Sequence, residues 1–206
     1  MGVRRQARSG HHVVPIPNVP AVSLAAATHD MMRAMNCPNC GAPMELFATR
    51  GYYFCTYCGT FEFIPAPAVE GVQVLERSAG TPPCPVCGGT LAVALLDGAS
   101  KVEHCETCRG LLIACPDFAD AVARRRARAP GPPARPVPLD RRDLKRHLNC
   151  PSCRVPMDVH PYYGPGNVVI DTCSRCEVVW LDFGELKQIT DAPGRDRGEL
   201  WTPRTD

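Results

Sequence analysis

The cysteines of this 206-residue chain occur in closely spaced pairs, a pattern typical of metal ligands. Twelve of the 13 cysteines form C-x2-C pairs, and the pairs occur two by two with 14, 17 and 19 residues between them. Four thiolates from two such pairs make a closed tetrahedral site suited to zinc, with no position open to water or substrate. The predicted ligands are Cys37, Cys40, Cys55 and Cys58; Cys84, Cys87, Cys105 and Cys108; and Cys150, Cys153, Cys173 and Cys176.

This pattern predicts three structural Zn2+ ions per chain, although four thiolates also fit iron, so the sequence leaves the identity of the metal open. Thioredoxin-like redox chemistry is disfavoured because it needs one C-x2-C between a strand and a helix, not six matched pairs. The remaining cysteine, Cys115, aligns with Phe183 of the third unit and is interpreted as a small packing residue. His104 and His147 adjoin ligands of complete sites, so both are interpreted as surface residues.

Each four-cysteine unit contains the sequence signal of a β-hairpin between its two pairs. In the second unit, Asp97-Gly98 predicts a two-residue turn. The first unit turns near Arg50-Gly51, and the third turns at residues 164–167. The predicted fold class is therefore small, metal-stabilised and mostly β, with three tandem four-cysteine zinc ribbons. Each ribbon is a hairpin that holds two C-x2-C turns, here called knuckles.

A short helix is predicted after the second and third ribbons. In the third, Asp182 and Glu185 have the N-cap and N3 spacing of a capping box, so we interpret them as a helix cap rather than an acid–base pair. In the second, Ala114 cannot cap a helix, and the helix is expected to begin at Asp117. Prolines follow the first ribbon, where no helix is expected.

Segments rich in Pro, Ala and Gly are predicted to be extended spacers between the ribbons. The ribbons should then be nearly independent, so that substituting Cys173 unfolds only the third. Met31 to Met35 offer an alternative start to Met1. Ribbon 1 is predicted at 36–64, ribbon 2 with a short helix at 84–126, and ribbon 3 at 140–192, with a basic helix before it and a short helix after it. The predicted linkers are 65–83 and 127–139, and the segments predicted to be disordered are 1–35 and 193–206.

Composition excludes several classes of protein. Aromatic residues make up only 6% of the chain, which argues against large cofactor-binding folds. Units of about 30 residues cannot build a sufficient core, so bound metal must supply stability. No stretch reaches the ~18 apolar residues of a membrane span, and residues 1–20 lack the apolar run of a secretory signal. We therefore expect a cytoplasmic protein whose reduced thiols bind metal.

The net charge of +2 conceals a basic stretch at residues 124–146, which carries nine basic and two acidic residues. Residues 140–148 are predicted to form a helix with Leu144 and Leu148 against ribbon 3 and an outward basic face. The stretch is either a solvated linker or an electrostatic footprint for nucleic-acid phosphates or an acidic protein surface. The candidate contact residues are Arg124, Arg125, Arg126, Arg141, Arg142, Lys145 and Arg146. Sequence-specific base reading is disfavoured because the tyrosines that could stack on bases lie on the hairpins: Tyr52, Tyr53, Tyr162 and Tyr163.

The third unit resembles the bacterial zinc ribbons of the transcription factor IIB zinc-finger type. The resemblance rests on Cys-Pro-Ser-Cys at 150–153 and on the run from Cys173 that ends in Trp-Leu-Asp-Phe-Gly-Glu-Leu at 180–186, and it covers residues 148–190. Residues 84–122 resemble the family more weakly, and residues 37–58 resemble only a generic ribbon. The resemblance implies zinc binding and a link to transcription or nucleic acid, but a shared fold does not establish a shared function.

The sequence therefore predicts a non-enzymatic interaction module with no small-molecule substrate and no membrane contact. No Ser/His/Asp order or glycine-rich phosphate loop is present in the sequence. The partner is nucleic acid or an unidentified protein that binds the basic stretch. Two alternatives remain open: a thiol-based redox or metal sensor that releases zinc on oxidation, and a scaffold that binds only proteins.

Overall fold

The structure is a computed structural model that describes residues 35–47, 50–64, 68–77 and 80–198. The predictions of disorder and of the start site at residues 1–34 lie outside the described residues, as does the end of the tail from residue 199. Within the described part of the chain, no helix is long and apolar enough to cross a membrane.

The described residues form ten strands in two antiparallel sheets, together with two α-helices. Ribbon 1 contributes a three-stranded sheet of β1 (Glu45–Phe47), β2 (Tyr52–Phe54) and β3 (Phe61–Phe63). The second sheet has the order β4-β5-β6-β7-β10-β9-β8. Its strands are β4 (Val72–Glu76), β5 (Ala92–Leu96), β6 (Ser100–His104), β7 (Leu111–Ala114), β8 (Asp158–Pro161), β9 (Val169–Cys173) and β10 (Val178–Leu181). The helices are α1 (Cys115–Arg128) and α2 (Glu185–Asp191). The predicted fold of three tandem, mostly β ribbons is confirmed.

Ribbons 2 and 3 are joined into one sheet by the antiparallel pairing of β7 with β10. In this pairing Leu112 lies opposite Trp180, and each of these residues is the fourth after the last cysteine of its ribbon. Equivalent residues that pair antiparallel lie on an approximate two-fold axis, so the two ribbons form a symmetric pair within one chain. The expectation that ribbons 2 and 3 are nearly independent is therefore wrong.

The shared sheet buries a different cluster on each face. On β7, Leu111 and Ile113 belong to the core beneath the helices, which also contains Phe118 of α1 and Ile189 of α2. Leu112 points to the opposite face because side chains alternate along a strand. On that face it joins a cluster that contains the cysteines of both ribbons. The helices therefore cover one face of the sheet, and the predicted metal sites lie on the other.

The helix after ribbon 2 begins earlier and is longer than predicted. It starts at Cys115, after an Ala114 that gives no side-chain cap, and Pro116 occupies its first turn. Proline is favoured there because its missing N–H is not needed for the helical hydrogen bonds. The helix has 14 residues although it has no side-chain cap. It is stabilised instead by packing, because its buried residues have helical spacing: Phe118, Ala121 and Val122.

Three other predicted segments also differ in the structure. The linker 65–83 contains β4, which pairs with β5 through Val72 and Val74. The hairpin of ribbon 2 has a three-residue loop rather than a two-residue turn, since Leu96 lies opposite Ser100. The predicted basic helix at 140–148 is a single 3-10 turn at Asp143–Lys145.

The start of the tail is ordered by Arg126, which is fully buried. Its guanidinium donates hydrogen bonds to the backbone oxygens of Ile189 (2.6 Å) and Ala192 (3.0 Å) at the end of α2. It also pairs with both carboxylate oxygens of Asp196, at 2.5 and 2.7 Å. The last carbonyl groups of a helix have no hydrogen-bond donor within the helix. Arg126 of α1 provides donors to the carbonyl groups at the end of α2. The prediction of disorder from residue 193 is wrong for this part of the tail.

Replacing Arg126 with Met is expected to lower the free energy of unfolding by about 2–4 kcal/mol, because the buried backbone oxygens of Ile189 and Ala192 lose their donor and an unsatisfied buried acceptor costs about 1–3 kcal/mol. Arg126→Lys should recover part of the loss, since lysine keeps the charge but lacks the planar fork. Urea denaturation of the metal-loaded protein measures the effect. The control is Arg128→Met, at an exposed position of the same helix, and equal stability of the two Met variants would contradict the prediction.

Candidate metal centres

The twelve predicted ligands converge in three groups, in each of which all four Sγ atoms lie within 4.8 Å of one another. The nearest Sγ–Sγ distances are 3.4 Å in ribbon 2, 3.5 Å in ribbon 1 and 3.6 Å in ribbon 3. Four thiolates at a Zn–S distance of about 2.3 Å around a tetrahedral ion are separated by about 3.8 Å. A disulfide would need about 2.05 Å. The spacing therefore fits three bound metal ions rather than disulfides.

The knuckles require a left-handed backbone at the residue that follows the second cysteine. Gly88 has φ 74° there, and its N–H donates to the backbone oxygen of Cys84 at 3.0 Å. Glycine adopts this conformation without strain. Arg109, Arg154 and Glu177 take the same place with φ of 54–63°, so the knuckle geometry is kept without glycine.

Arg109 has a second role that explains a large side chain at this position. Its guanidinium donates to the backbone oxygen of Gly51 at 3.1 Å and lies 3.8 Å above the ring of Phe183. Cation–π contacts of this kind are favourable when they are shielded from water. The knuckle of ribbon 2 therefore contacts both ribbon 1 and ribbon 3.

The ligands of ribbon 1 are the most exposed of the three sets. Cys40 and Cys58 are exposed, whereas none of the ligands of ribbons 2 and 3 is. The side-chain and backbone hydrogen bonds of Thr60 lower the pKa of Cys58 to about 6. In ribbon 3 the backbone N–H of Val155 lowers the pKa of Cys153 to about 7. Because thiolates are the metal-binding form, these hydrogen bonds favour binding near neutral pH.

The centres of ribbons 2 and 3 share one apolar environment. Trp180 is fully buried between them, together with Leu112, Leu91 and Met157. A Cβ atom at Gly110 would lie only 2.1 Å from the Trp180 ring, so this position must remain glycine. The position of the Trp180 ring in ribbon 3 therefore requires a glycine at residue 110 in ribbon 2.

The predicted capping box at α2 is only half present. The carboxylate of Glu185 accepts from the backbone N–H of Asp182 at 2.8 Å, as a capping box requires. The residue before the helix is Gly184, however, and it provides no side-chain cap. The side chain of Asp182 instead accepts from the indole N–H of Trp180 at 3.0 Å and is directed into a buried group of charges.

This buried ion cluster joins ribbon 1 to ribbon 3. Arg50, at the hairpin turn of ribbon 1, contacts Asp182, and it lies 2.8 Å from Asp143 and 3.3 Å from Glu185. Arg146 bridges Asp171 at 2.7 Å and Asp182 at 2.5 Å. Asp182 is thus the one carboxylate of this cluster that both arginines contact. The two guanidinium groups hold ribbon 1 and the segment before ribbon 3 against the same side chain.

The pKa values of the acids follow from this arrangement. Burial alone would raise the pKa of Asp182, but Arg146 and Arg50 outweigh it and hold that pKa below its usual range. Burial and the charge of Asp182 raise the pKa of Glu185 well above its usual range. Burial also raises the pKa of Asp171. Asp182 is therefore the charged partner of the two arginines.

The predicted contact residues of the basic stretch are divided by the structure. Arg126 and Arg146 are directed inward, and the predicted outward arc is wrong for Arg146. Arg125 pairs with Asp97 at 2.6 Å, and Arg124 donates to the hydroxyl of Ser100 at 2.7 Å. Arg142 pairs with Asp140 and Glu45, while Arg141 and Lys145 are exposed.

Other sequence interpretations meet mixed outcomes. His104 is buried rather than on the surface, with its Nδ1 3.2 Å from the backbone oxygen of Gly110, and burial lowers its pKa. His147 is exposed as expected. Cys115 lies outside the three metal groups and packs partly buried against the shared core, in agreement with a packing role. Sequence reasoning missed Arg50, since an arginine in a turn gives no local signal of a distant buried partner.

The purified protein is expected to contain three zinc ions per chain, because each group of four thiolates is complete. Elemental analysis together with thiol alkylation measures the content. Cys115→Ser should leave the metal count at three and the twelve ligands protected. Two ions per chain in this variant would show that the second site uses Cys115 in place of an assigned ligand.

Substituting Cys173 with Ser is expected to weaken metal retention in ribbon 2 as well as in ribbon 3, since β9 and β10 support the sheet that ribbon 2 shares. Release of metal to a chromogenic chelator measures retention. The matched control is Cys55→Ser in ribbon 1, which should leave ribbons 2 and 3 loaded because its sheet is separate. Full retention by ribbon 2 in the Cys173→Ser protein would contradict this coupling.

Comparison with known proteins gives one family match. Residues 149–192 match the profile of the family described as transcription factor zinc-finger. No curated protein and no solved structure matches the chain. The matched residues contain one of the three four-thiolate groups and the Trp180–Glu185 segment that reaches the buried ion cluster. Ribbon 3 is therefore similar to the zinc ribbons of the transcription factor zinc-finger family.

Proposed function

We propose that this protein is a non-catalytic module that binds nucleic acid, with zinc at three centres maintaining the shape of the binding surface. A metal held by four thiolates has no open coordination position, so it supplies stability rather than chemistry. The description of the family that ribbon 3 matches, transcription factor zinc-finger, supports this class of partner. The distribution of unpaired charge supports it independently.

Part of the basic stretch is neutralised within the protein. Of its nine basic residues, those in ion pairs are Arg125, Arg126, Arg142 and Arg146. The two acidic residues of the stretch are also engaged, Asp140 by Arg142 and Asp143 by Arg50. Arg125, Arg126 and Arg146 are mostly buried in their pairs, and the charge of Arg142 is balanced at the surface, so none of the four arginines adds unpaired charge.

The observation that carries the proposal is the charge that remains. Among the described residues, the other basic side chains of the stretch form no ion pair, and they are Arg124, Arg128, Arg135, Arg141 and Lys145. All of the unpaired charge in the stretch is therefore positive. Cations without carboxylate partners attract phosphate groups, and they bind with little dependence on base sequence.

Replacing Arg141 and Lys145 with Ala is expected to weaken duplex binding and to lower the salt dependence of log K by up to about two units, since each phosphate contact contributes ~0.9. Fluorescence anisotropy at several salt concentrations, with the metal-loaded full chain, measures both. Arg142 and Arg146 are kept because their charges are already balanced by carboxylates within the protein.

A control variant, Lys101→Ala with Arg195→Ala, removes the same charge from exposed positions outside the basic stretch. It is expected to retain the salt dependence of the parent. Equal losses in the two double variants would contradict a role for the basic stretch. Failure of the parent protein to bind any nucleic acid would refute the proposed function and favour a scaffold that binds only proteins.

A thiol-based redox or metal sensor is the second candidate function, and the exposure of Cys40 and Cys58 favours ribbon 1 as its site. Exposed thiolates are oxidised more readily than buried ones. Ribbon 1 also carries Arg50, so loss of its metal would disturb the buried ion cluster. A sensor would therefore release metal from ribbon 1 before the other two ribbons.

A further inference from the structure

Ribbon 1 carries an aromatic face that its own core does not require. The strand register places Phe47 opposite Tyr52, Tyr52 opposite Phe63, and Phe54 opposite Phe61. Directly opposed residues project from the same face of a sheet. The ring centroids of Phe54 and Phe61 are 4.8 Å apart. The core of ribbon 1 is a different group: Cys37, Met44 and Cys55, with Ala42 and Tyr53 packed against it.

The rest of the protein covers only part of this aromatic face. Phe63 packs against the cluster around Trp180, and Tyr52 is only 5% exposed. Phe54 and Phe61 remain half-buried. A cleft of about 340 Å³ lies over them, which is within the size range of ligand sites in proteins.

The opposite wall of the cleft is formed by the basic turn that precedes ribbon 3, residues 142–146. The Arg142 guanidinium lies 4.6 Å above the ring of Phe47, which leaves Phe54 and Phe61 as the open rings. Lys145 is exposed at the edge of the cleft and forms no ion pair with the described residues.

The acidic residues of the cleft are neutralised by arginines. Glu45 pairs with Arg142, and Asp143 lies 2.8 Å from Arg50. The cleft therefore combines aromatic surface with a cation that has no counter-charge. An organic cation would be repelled by this wall, and an acidic peptide would satisfy the cation but not the rings.

Single-stranded nucleic acid satisfies both features, because its bases stack on aromatic rings while its phosphates contact cations. In a duplex the faces of the bases are already covered by neighbouring bases. We propose that this cleft binds single-stranded nucleic acid by stacking bases on Phe54 and Phe61, with Lys145 on the backbone phosphates. The inference rests on the nucleic-acid binding proposed above and specifies the form of the strand.

The test uses the metal-loaded full chain and single-stranded DNA and RNA probes of about 10 nucleotides, a length typical of such sites. Each probe carries one 2-aminopurine, whose fluorescence falls when it stacks. The parent protein is expected to prefer single strands over a duplex of equal length and to quench the probe. Phe54→Leu with Phe61→Leu should weaken single-strand binding at least about fivefold and abolish the quenching, with duplex binding retained.

The matched control is Tyr57→Leu with Tyr163→Leu, which removes two rings that are 86% and 90% exposed and lie outside the cleft. This variant should bind and quench like the parent, and metal analysis verifies that both variants are folded. Unchanged single-strand binding by the Phe54 and Phe61 variant would overturn the cleft while leaving the proposed function intact. A parent that binds polyglutamate but no nucleic acid would overturn both.

Discussion

The hydrogen bonds between β7 and β10 determine how this small protein obtains a core. A single zinc ribbon exposes strand edges and buries little apolar surface, so it depends almost entirely on its metal. Pairing the two edges closes both ribbons into one sheet and lets α1 and α2 pack over a common core of residues from both ribbons. The two metal centres then lie on the other face, on either side of the Leu112 and Trp180 pair. The common core therefore gives ribbons 2 and 3 a stability that neither ribbon would have alone.

Ribbon 1 is attached in a different physical way, through buried charge. Among the described residues, the buried core of ribbon 1 consists of Met44, Cys37 and Cys55, so the aromatic face and Arg50 provide its attachment. Isolated buried charges are unfavourable, and breaking a buried pair leaves an uncompensated charge. The contacts of Arg50 and Arg146 with Asp182 are favourable only when all three groups are in place. They therefore fix the position of ribbon 1 relative to ribbon 3 more than they add to the free energy of unfolding.

Local chemistry was predictable from the sequence, and long-range pairing was not. The C-x2-C spacing identified all twelve thiols of the metal groups, because two intervening residues suffice to direct both sulfurs at one ion. The strand β4 was overlooked because the prolines around it obscured the alternation of Val72 and Val74. The pairing of β7 with β10 and the partners of Arg50 depend on which segments meet in space. Nothing in the local sequence of those segments specifies their partner.

The same limit explains why aromatic and basic groups looked unrelated in the sequence. The two walls of the cleft come from ribbon 1 and from the turn before ribbon 3, and the paired residues Glu45 and Arg142 of these walls are 97 residues apart in the chain. Arg50 anchors the first wall and Arg146 anchors the second, and both contact the carboxylate of Asp182. The indole N–H of Trp180 orients that carboxylate at 3.0 Å. The Trp-Leu-Asp segment of ribbon 3 therefore holds both walls through one carboxylate, in addition to the direct contacts of Arg142 with Glu45 and Phe47. This segment thus shapes the surface of ribbon 1 as well as the start of its own helix.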